Sequence, residues 1–173
     1  FNEIESLKKI IKKEKIGILK MEIFRNIEPK KDFLKNVRNI CDKNNIILIF
    51  DECTSGFRET FGGLHLKYNV YPDISVFAKS MANGYAMSAV LGKKDIMEAS
   101  QSTFISSTNW TDRVGPTAAL ATLEKYTRES VEKHIIKIGE KVKEIWKEKS
   151  QLYKIDINIS GLPSLASFEF KSD

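Results

Sequence analysis

Two apolar stretches of the sequence end abruptly on charged residues. Residues 46–50 (IILIF) run directly into Asp51 and Glu52, and residues 74–78 (ISVFA) run directly into Lys79. Apolar runs of this length, of which residues 46–50 are unbroken, are typical of strands that are buried on both faces of a parallel sheet. In open α/β sheets the ligand crevice lies outside the carboxyl ends of the strands. If the two strands are parallel neighbours, Asp51 and Lys79 face the same crevice.

The segments around these strands predict an α/β fold with a mostly parallel, doubly wound sheet. A strand over residues 16–23, a helix that begins near Asp32 and the strand over residues 46–50 form a βαβ unit, and a crossover of this length implies a parallel pair. A long loop over residues 54–71 is rich in glycine and aromatic residues, and loops of this size are usually functional.

The second half of the sequence predicts one more strand and mainly helices. A strand is expected over residues 87–91 and a helix from about Pro116. From Val131 onward, apolar residues recur at alternating spacings of four and three, which a coiled coil also shows. Inside a mixed fold, this pattern favours one long packed helix.

Composition excludes several classes of protein. The 173 residues and the apolar content of 42% are sufficient for a real hydrophobic core. The net charge of +5 arises from lysines mixed with acids on predicted helix faces, so a nucleic-acid site is not expected. Two cysteines are too few for a disulfide scaffold or a zinc site, and they indicate reduced thiols in the cytoplasm. No apolar run approaches the ~20 residues that a membrane span needs.

Taken alone, Asp51 and Lys79 have ordinary explanations, a turn acid and a surface lysine that each happen to follow a strand. The apolar neighbours of Lys79 are expected to shield its amine partly from water. Pyridoxal phosphate would explain both residues, because this cofactor needs a lysine for a Schiff base and an acid near its ring nitrogen. It also needs phosphate donors, and the hydroxyls of Ser106, Ser107 and Thr108 are suitable.

Several spaced motifs resemble the class III aminotransferases, and within that family the glutamate-1-semialdehyde aminotransferase-like enzymes. These motifs occur in the family's order, from about residue 18 to residue 123, and comprise residues 49–58 (IFDECTSGFR), 72–79 (PDISVFAK), 83–85 (NGY), 107–108 (ST) and 115–116 (GP). The order and spacing of the motifs are more specific than any one of them.

The resemblance implies a role for five residues. Lys79 would form the Schiff base with pyridoxal phosphate and move the substrate proton, and Asp51 would hold the ring nitrogen. Cys53 falls where the family usually has a valine that packs on the ring. Thr108 matches a threonine that reaches the phosphate bound by the other subunit of a dimer, and Ser107 beside it is a weaker candidate. No metal site is implied.

The resemblance also implies the aspartate aminotransferase-like fold, fold type I. Residues 1–127 would be the C-terminal half of the cofactor-binding large domain, residues 128–150 a connecting helix, and residues 151–173 the start of a small α+β domain. The first residue is Phe1, and the family's upstream phosphate-binding loop is missing. We therefore expect a piece of a longer homodimeric enzyme, which by itself binds the cofactor poorly and does not turn over.

Three alternatives remain open on sequence grounds. A 2,1-aminomutase of the same family would use the same residues on a single carbon skeleton. An apolar strand followed by Asp51 and Glu52 also fits the Walker B pattern of P-loop ATPases, although no G-x-x-x-x-G-K-[ST] loop occurs in the chain. A non-catalytic relative could keep the fold as an interaction surface.

Overall fold

Four strands form the central sheet of the computed structural model, which describes residues 1–24, 26–106 and 108–171. The strands are β1 (Ile18–Glu22), β2 (Ile47–Asp51), β3 (Ile74–Phe77) and β4 (Ala89–Gly92), and they lie in that order. β1, β2 and β3 are parallel, whereas β4 pairs with β3 in the antiparallel direction. The predicted mostly parallel α/β sheet is therefore confirmed, and its last strand begins two residues later than the apolar pattern indicated.

Two helices cover one face of the sheet. Helix α1 (Ile4–Lys13) precedes β1, and α2 (Phe33–Lys43) is the crossover between β1 and β2. The buried face of α2 packs against Leu48 and Phe50 of β2 in the main hydrophobic core. Because side chains alternate along a strand, Ile49 and Asp51 of β2 point to the opposite face. Burial of the apolar face thus fixes which side of the sheet presents the acid.

The connection from β2 to β3 is irregular apart from one short helix, α3 (His65–Tyr68). After β3, the chain forms a 3₁₀ turn over Lys79–Met81, then β4 and the short helix α4 (Lys94–Met97), which leads into a second 3₁₀ turn over Glu98–Ser102. Helix α5 (Val114–Glu129) packs against the first of these turns, where Ala119 joins Phe77, Met81 and Ala82 in a second apolar cluster.

One long helix, α6 (Val131–Tyr153), leads to a hairpin of β5 (Ile157–Ser160) and β6 (Ser167–Phe170). This helix packs against the 3₁₀ turn over Pro163–Leu165, and a Cβ atom at Gly139 would overlap the carbonyl oxygen of Pro163. The apolar spacing from Val131 therefore reflects a single packed helix. Across the described residues, no helix combines the length and the apolar character that crossing a membrane requires.

Candidate active site

The carboxyl ends of β2 and β3 bring together the two charged residues that the sequence singled out. Asp51 is the last residue of β2, and Lys79 follows β3 by two residues. The strands are parallel neighbours, with Asp51 opposite Val76. Both side chains therefore belong to the carboxyl ends of the parallel strands, as the apolar runs that precede them predicted.

Two donors hold the Asp51 carboxylate. Its Oδ2 atom lies 2.9 Å from Nζ of Lys20, a residue of β1, and its Oδ1 atom accepts a hydrogen bond of 3.2 Å from the backbone N–H of Cys53. The Asp51 side chain is 22% exposed. The ammonium of Lys20, helped by Cys53, holds the pKa of Asp51 below its usual range, so the carboxylate is ionised at neutral pH.

Lys79 is fixed by one hydrogen bond and by an unusual backbone conformation. Its Nζ atom donates to Oγ1 of Thr54 at 2.7 Å. Its φ angle of 47° is in the left-handed region, which costs a residue with a side chain of order 1 kcal/mol or more. Strain of this kind clusters at active sites and ligand clamps. The strained turn is stabilised by Phe77, Met81 and Ala82, which are buried beneath it.

The expected shielding of the Lys79 amine is wrong. The neighbours Phe77, Met81 and Ala82 are buried, but Lys79 itself is exposed. The 3₁₀ turn that begins at Lys79 directs Met81 and Ala82 into the cluster with α5 and leaves the lysine outside it. An apolar neighbourhood in sequence thus does not become an apolar environment for the amine.

Cys53 lies half-buried between Asp51 and Thr54. Burial raises the pKa of its thiol, and the adjacent Asp51 carboxylate raises it further. At neutral pH the side chain is therefore a small, soft, uncharged group. This character is compatible with packing against a ring, the role that the sequence predicts for it.

Glu52 has a role that the sequence did not predict. Its side chain is completely buried and accepts hydrogen bonds from the backbone N–H of Leu64 and from Ser55 Oγ, the latter at 3.2 Å. It also contacts Nδ1 of His65. Glu52 therefore ties the two ends of the loop over residues 53–64 together. A carboxylate enclosed in this way has no room to orient an attacking water, as a Walker B glutamate must.

The hydroxyl-rich segment lies between the second 3₁₀ turn and α5 in the chain. Thr108 is exposed in the turn that leads into α5, and Ser106 is exposed as well. Ser107 lies outside the described residues. The assignment of these hydroxyls to a phosphate therefore stays a prediction.

The arrangement at the sheet edge fits pyridoxal phosphate. An ionised carboxylate, Asp51, is the acceptor that a protonated ring nitrogen requires, and the exposed amine of Lys79 is available to an aldehyde. Two consecutive loop residues contact these groups: the backbone N–H of Cys53 donates to Asp51, and the hydroxyl of Thr54 accepts from Lys79.

Sequence reasoning missed Thr54 and Lys20. Thr54 lies inside the motif of residues 49–58, but only the folded loop brings its hydroxyl to Lys79. Lys20 is a charged residue in the middle of an apolar strand, and that departure from the pattern was the available signal. The parallel register, which pairs Lys20 with Ile49, places it on the same face as Asp51.

Comparison with known proteins identifies a family. The family model for class-III aminotransferases matches residues 26–173. The chain is 33% identical to the 3-aminobutyryl-CoA aminotransferase of Cloacimonas acidaminovorans over 100% of its own length and 44% of that protein. It is 46% identical to the glutamate-1-semialdehyde 2,1-aminomutase of Nitrosopumilus maritimus over 57% of the chain and 24% of that protein. The chain thus spans less than half the length of these relatives.

Solved structures agree on the fold. The FumI protein of Sphingopyxis sp. MTA144, solved in its pyridoxal phosphate internal aldimine form, matches with a TM-score of 0.93 and 23% identity over 100% of this chain and 44% of that one. The ornithine aminotransferase of Plasmodium yoelii matches with a TM-score of 0.85 and 25% identity over 99% of this chain and 47% of that one. The predicted fold type I is confirmed, and the P-loop ATPase alternative is wrong.

Proposed function

Since this chain belongs to the class-III aminotransferases, we propose that the complete protein moves an amino group from a small-molecule donor to a carbonyl acceptor with pyridoxal phosphate. The observation that carries the proposal is the pair of Asp51 and Lys79 at the carboxyl ends of two neighbouring parallel strands. When bound, pyridoxal phosphate supplies an electron sink that stabilises negative charge on the substrate α-carbon.

Each residue at the sheet edge has a defined task. Lys79 would hold the cofactor covalently through its amine, and the same amine would take and return the proton of the substrate α-carbon. Thr54 orients that amine through the 2.7 Å hydrogen bond. Asp51, which is ionised, would hold the ring nitrogen and balance its positive charge, and Cys53 would pack beside the ring.

We further propose that Ser107 and Thr108 bind the cofactor phosphate and that the protein is a homodimer. Large apolar side chains are exposed before and after this segment in the sequence, which supports an interface in this part of the protein. They include Tyr85, Phe104, Trp110 and Leu120. Light scattering of the complete protein should give twice the mass of the complete chain, and a monomer would count against the interface.

The two unpaired cysteines support a cytoplasmic location.

The assignment of residues 1–127 to the large domain, 128–150 to a connecting helix and 151–173 to a small domain is part of the same proposal. The hairpin of β5 and β6 after the long helix α6 supports it.

The 46% identity to an aminomutase over 103 residues favours a second candidate, a 2,1-aminomutase of the same family. Product analysis separates the two. An aminomutase converts an amino aldehyde to its isomer with no second substrate, whereas an aminotransferase requires both a donor and an acceptor.

Borohydride trapping tests the proposal directly. The complete protein is incubated with pyridoxal phosphate and reduced with borohydride, and the modified peptide is mapped by mass spectrometry. We expect the modification on Lys79, its loss in Lys79→Ala, and its persistence in the control Lys93→Ala, which changes another exposed lysine. Modification of a different lysine would overturn the assignment of Lys79, whereas no modification in the wild type would favour a non-catalytic relative.

A further inference from the structure

Lys20 is an unusual neighbour for the acid that the proposed cofactor needs. It lies within β1 between Leu19 and Met21, which pack toward the main core, and it projects from the other face of the sheet. In the parallel register it pairs with Ile49, two residues before Asp51. Its side chain is 60% exposed, yet its ammonium lies 2.9 Å from Asp51 Oδ2.

Both oxygens of Asp51 therefore already have a donor. Oδ1 accepts the backbone N–H of Cys53, and Oδ2 faces Lys20. The backbone donor is fixed by the turn after β2, whereas the Lys20 side chain has a long flexible stem and is mostly in water. Lys20 is thus the partner that can yield when another cation approaches the carboxylate.

A protonated ring nitrogen is such a cation. A second positive charge on the same carboxylate is repelled by the first, and each weakens the hold of Asp51 on the other. The nearby carboxylate of Glu22 lies opposite Asp51 in the register and adds negative charge to this face, but it does not separate Lys20 from Asp51.

We propose that Lys20 is a positioning residue that competes with the ring nitrogen of the cofactor for the Asp51 carboxylate and thereby limits how tightly the ring is held. The inference rests on the proposed function, because it assigns Asp51 to the ring nitrogen. It adds a residue outside the motifs through which the family was recognised.

A pair of ligands isolates the ring nitrogen. Pyridoxamine 5′-phosphate binds without a bond to Lys79, and its 1-deaza analogue carries C–H in place of the ring nitrogen. Dissociation constants of both are measured by calorimetry on the complete protein, in the wild type and in Lys20→Met, Lys20→Arg and Lys93→Met. Lys93→Met is a matched control, because Lys93 is 58% exposed and forms a similar 2.7 Å pair with Asp73.

We expect Lys20→Met to bind pyridoxamine phosphate about two- to fivefold more tightly, the range typical of an exposed ion pair, with no change for the deaza analogue. Lys20→Arg, which keeps the charge, should behave as the wild type, and so should Lys93→Met. The proposal would be overturned if Lys20→Met bound both ligands more tightly by the same factor or bound both as the wild type does. Weaker binding of pyridoxamine phosphate by Lys20→Met would also overturn it. If the wild type binds neither ligand, the proposed function fails instead.

Discussion

Two aspartates lie at opposite ends of the parallel strands. Each pairs with an exposed lysine, but the surroundings of the two carboxylates differ. Asp51 ends β2 and pairs with Lys20 at 2.9 Å, whereas Asp73 precedes β3 and pairs with Lys93 at 2.7 Å. Asp73 also binds Arg38 at 2.9 Å and the backbone N–H of Leu48 at 2.7 Å. The Asp73 side chain is 7% exposed, and that of Asp51 is 22% exposed.

The difference separates an acid that serves the fold, Asp73, from the acid that we propose binds the cofactor, Asp51. Asp73 has three donors on two oxygens and joins β2, α2 and the segment after β4, so its hydrogen-bonding capacity serves the fold. Asp51 has one fixed donor and one mobile one, and it lies at the carboxyl end of β2 with its side chain 22% exposed. The position at the carboxyl edge, together with an incompletely enclosed carboxylate, indicates a ligand site.

Asp51→Asn should produce the largest effect and only on function. In the complete protein we expect amino transfer to fall by about a hundredfold or more, because a neutral amide no longer balances the charge of the ring nitrogen. The free energy of unfolding without cofactor should change by less than about 0.5 kcal/mol, since Lys20 is returned to water. Initial rates and urea unfolding measure the two. A large loss of stability in this variant would break the distinction.

Asp73→Asn should produce the reverse pattern with a smaller effect. Replacement of the carboxylate weakens three contacts at once and removes one of the two carboxylates that pair with Arg38, which is only 15% exposed and keeps Asp42 at 2.7 Å. We expect a loss of about 2–3 kcal/mol in the free energy of unfolding. The rate of amino transfer per folded molecule should stay within about twofold of the wild type. A folded variant with a much lower rate would show that Asp73 also serves the active site.

The positions of Asp51 and Lys79 could be predicted from the sequence because each follows an apolar run. Burial of the apolar run determines where each strand ends. Because β2 and β3 are parallel, their carboxyl ends then lie on the same side of the sheet. The contacts that complete the site could not be predicted in this way. Lys20 meets Asp51 only because β1 and β2 pair in one particular register.

The role of Glu52 also depends on distant residues. Its partners Leu64 and His65 follow it by twelve and thirteen positions, and their approach depends on the path of the intervening loop. A Cβ atom at Gly63 would overlap the His65 ring and the Glu52 carboxylate, so the close approach requires glycine there. The sequence contained that glycine, but only as part of a loop of unspecified shape.

Acid unfolding should give the smallest difference between the two aspartates. Burial alone would raise the pKa of Asp73, but Lys93, the Leu48 N–H and Arg38 together hold it below its usual range. The pKa of Asp51 is also lowered, chiefly by the exposed Lys20. In each case the folded state has the lower pKa, so the stabilisation is fully present above the unfolded value of about 3.9 and is lost as pH falls through the folded value.

The two contributions should respond differently to salt. Screening by salt weakens the Asp51–Lys20 pair, whose cation is mostly in water, far more than the Asp73–Arg38 pair, which is enclosed by α2 and the sheet. Urea unfolding of the wild type, Asp51→Asn and Asp73→Asn is compared at pH 6 and pH 3, at low and at high salt. The difference in the free energy of unfolding between wild type and Asp73→Asn should become smaller at pH 3 and should persist in high salt at pH 6. The small difference between wild type and Asp51→Asn should disappear in high salt. If salt removes both gaps equally, the two aspartates are solvated alike and the contrast drawn from their surroundings is wrong.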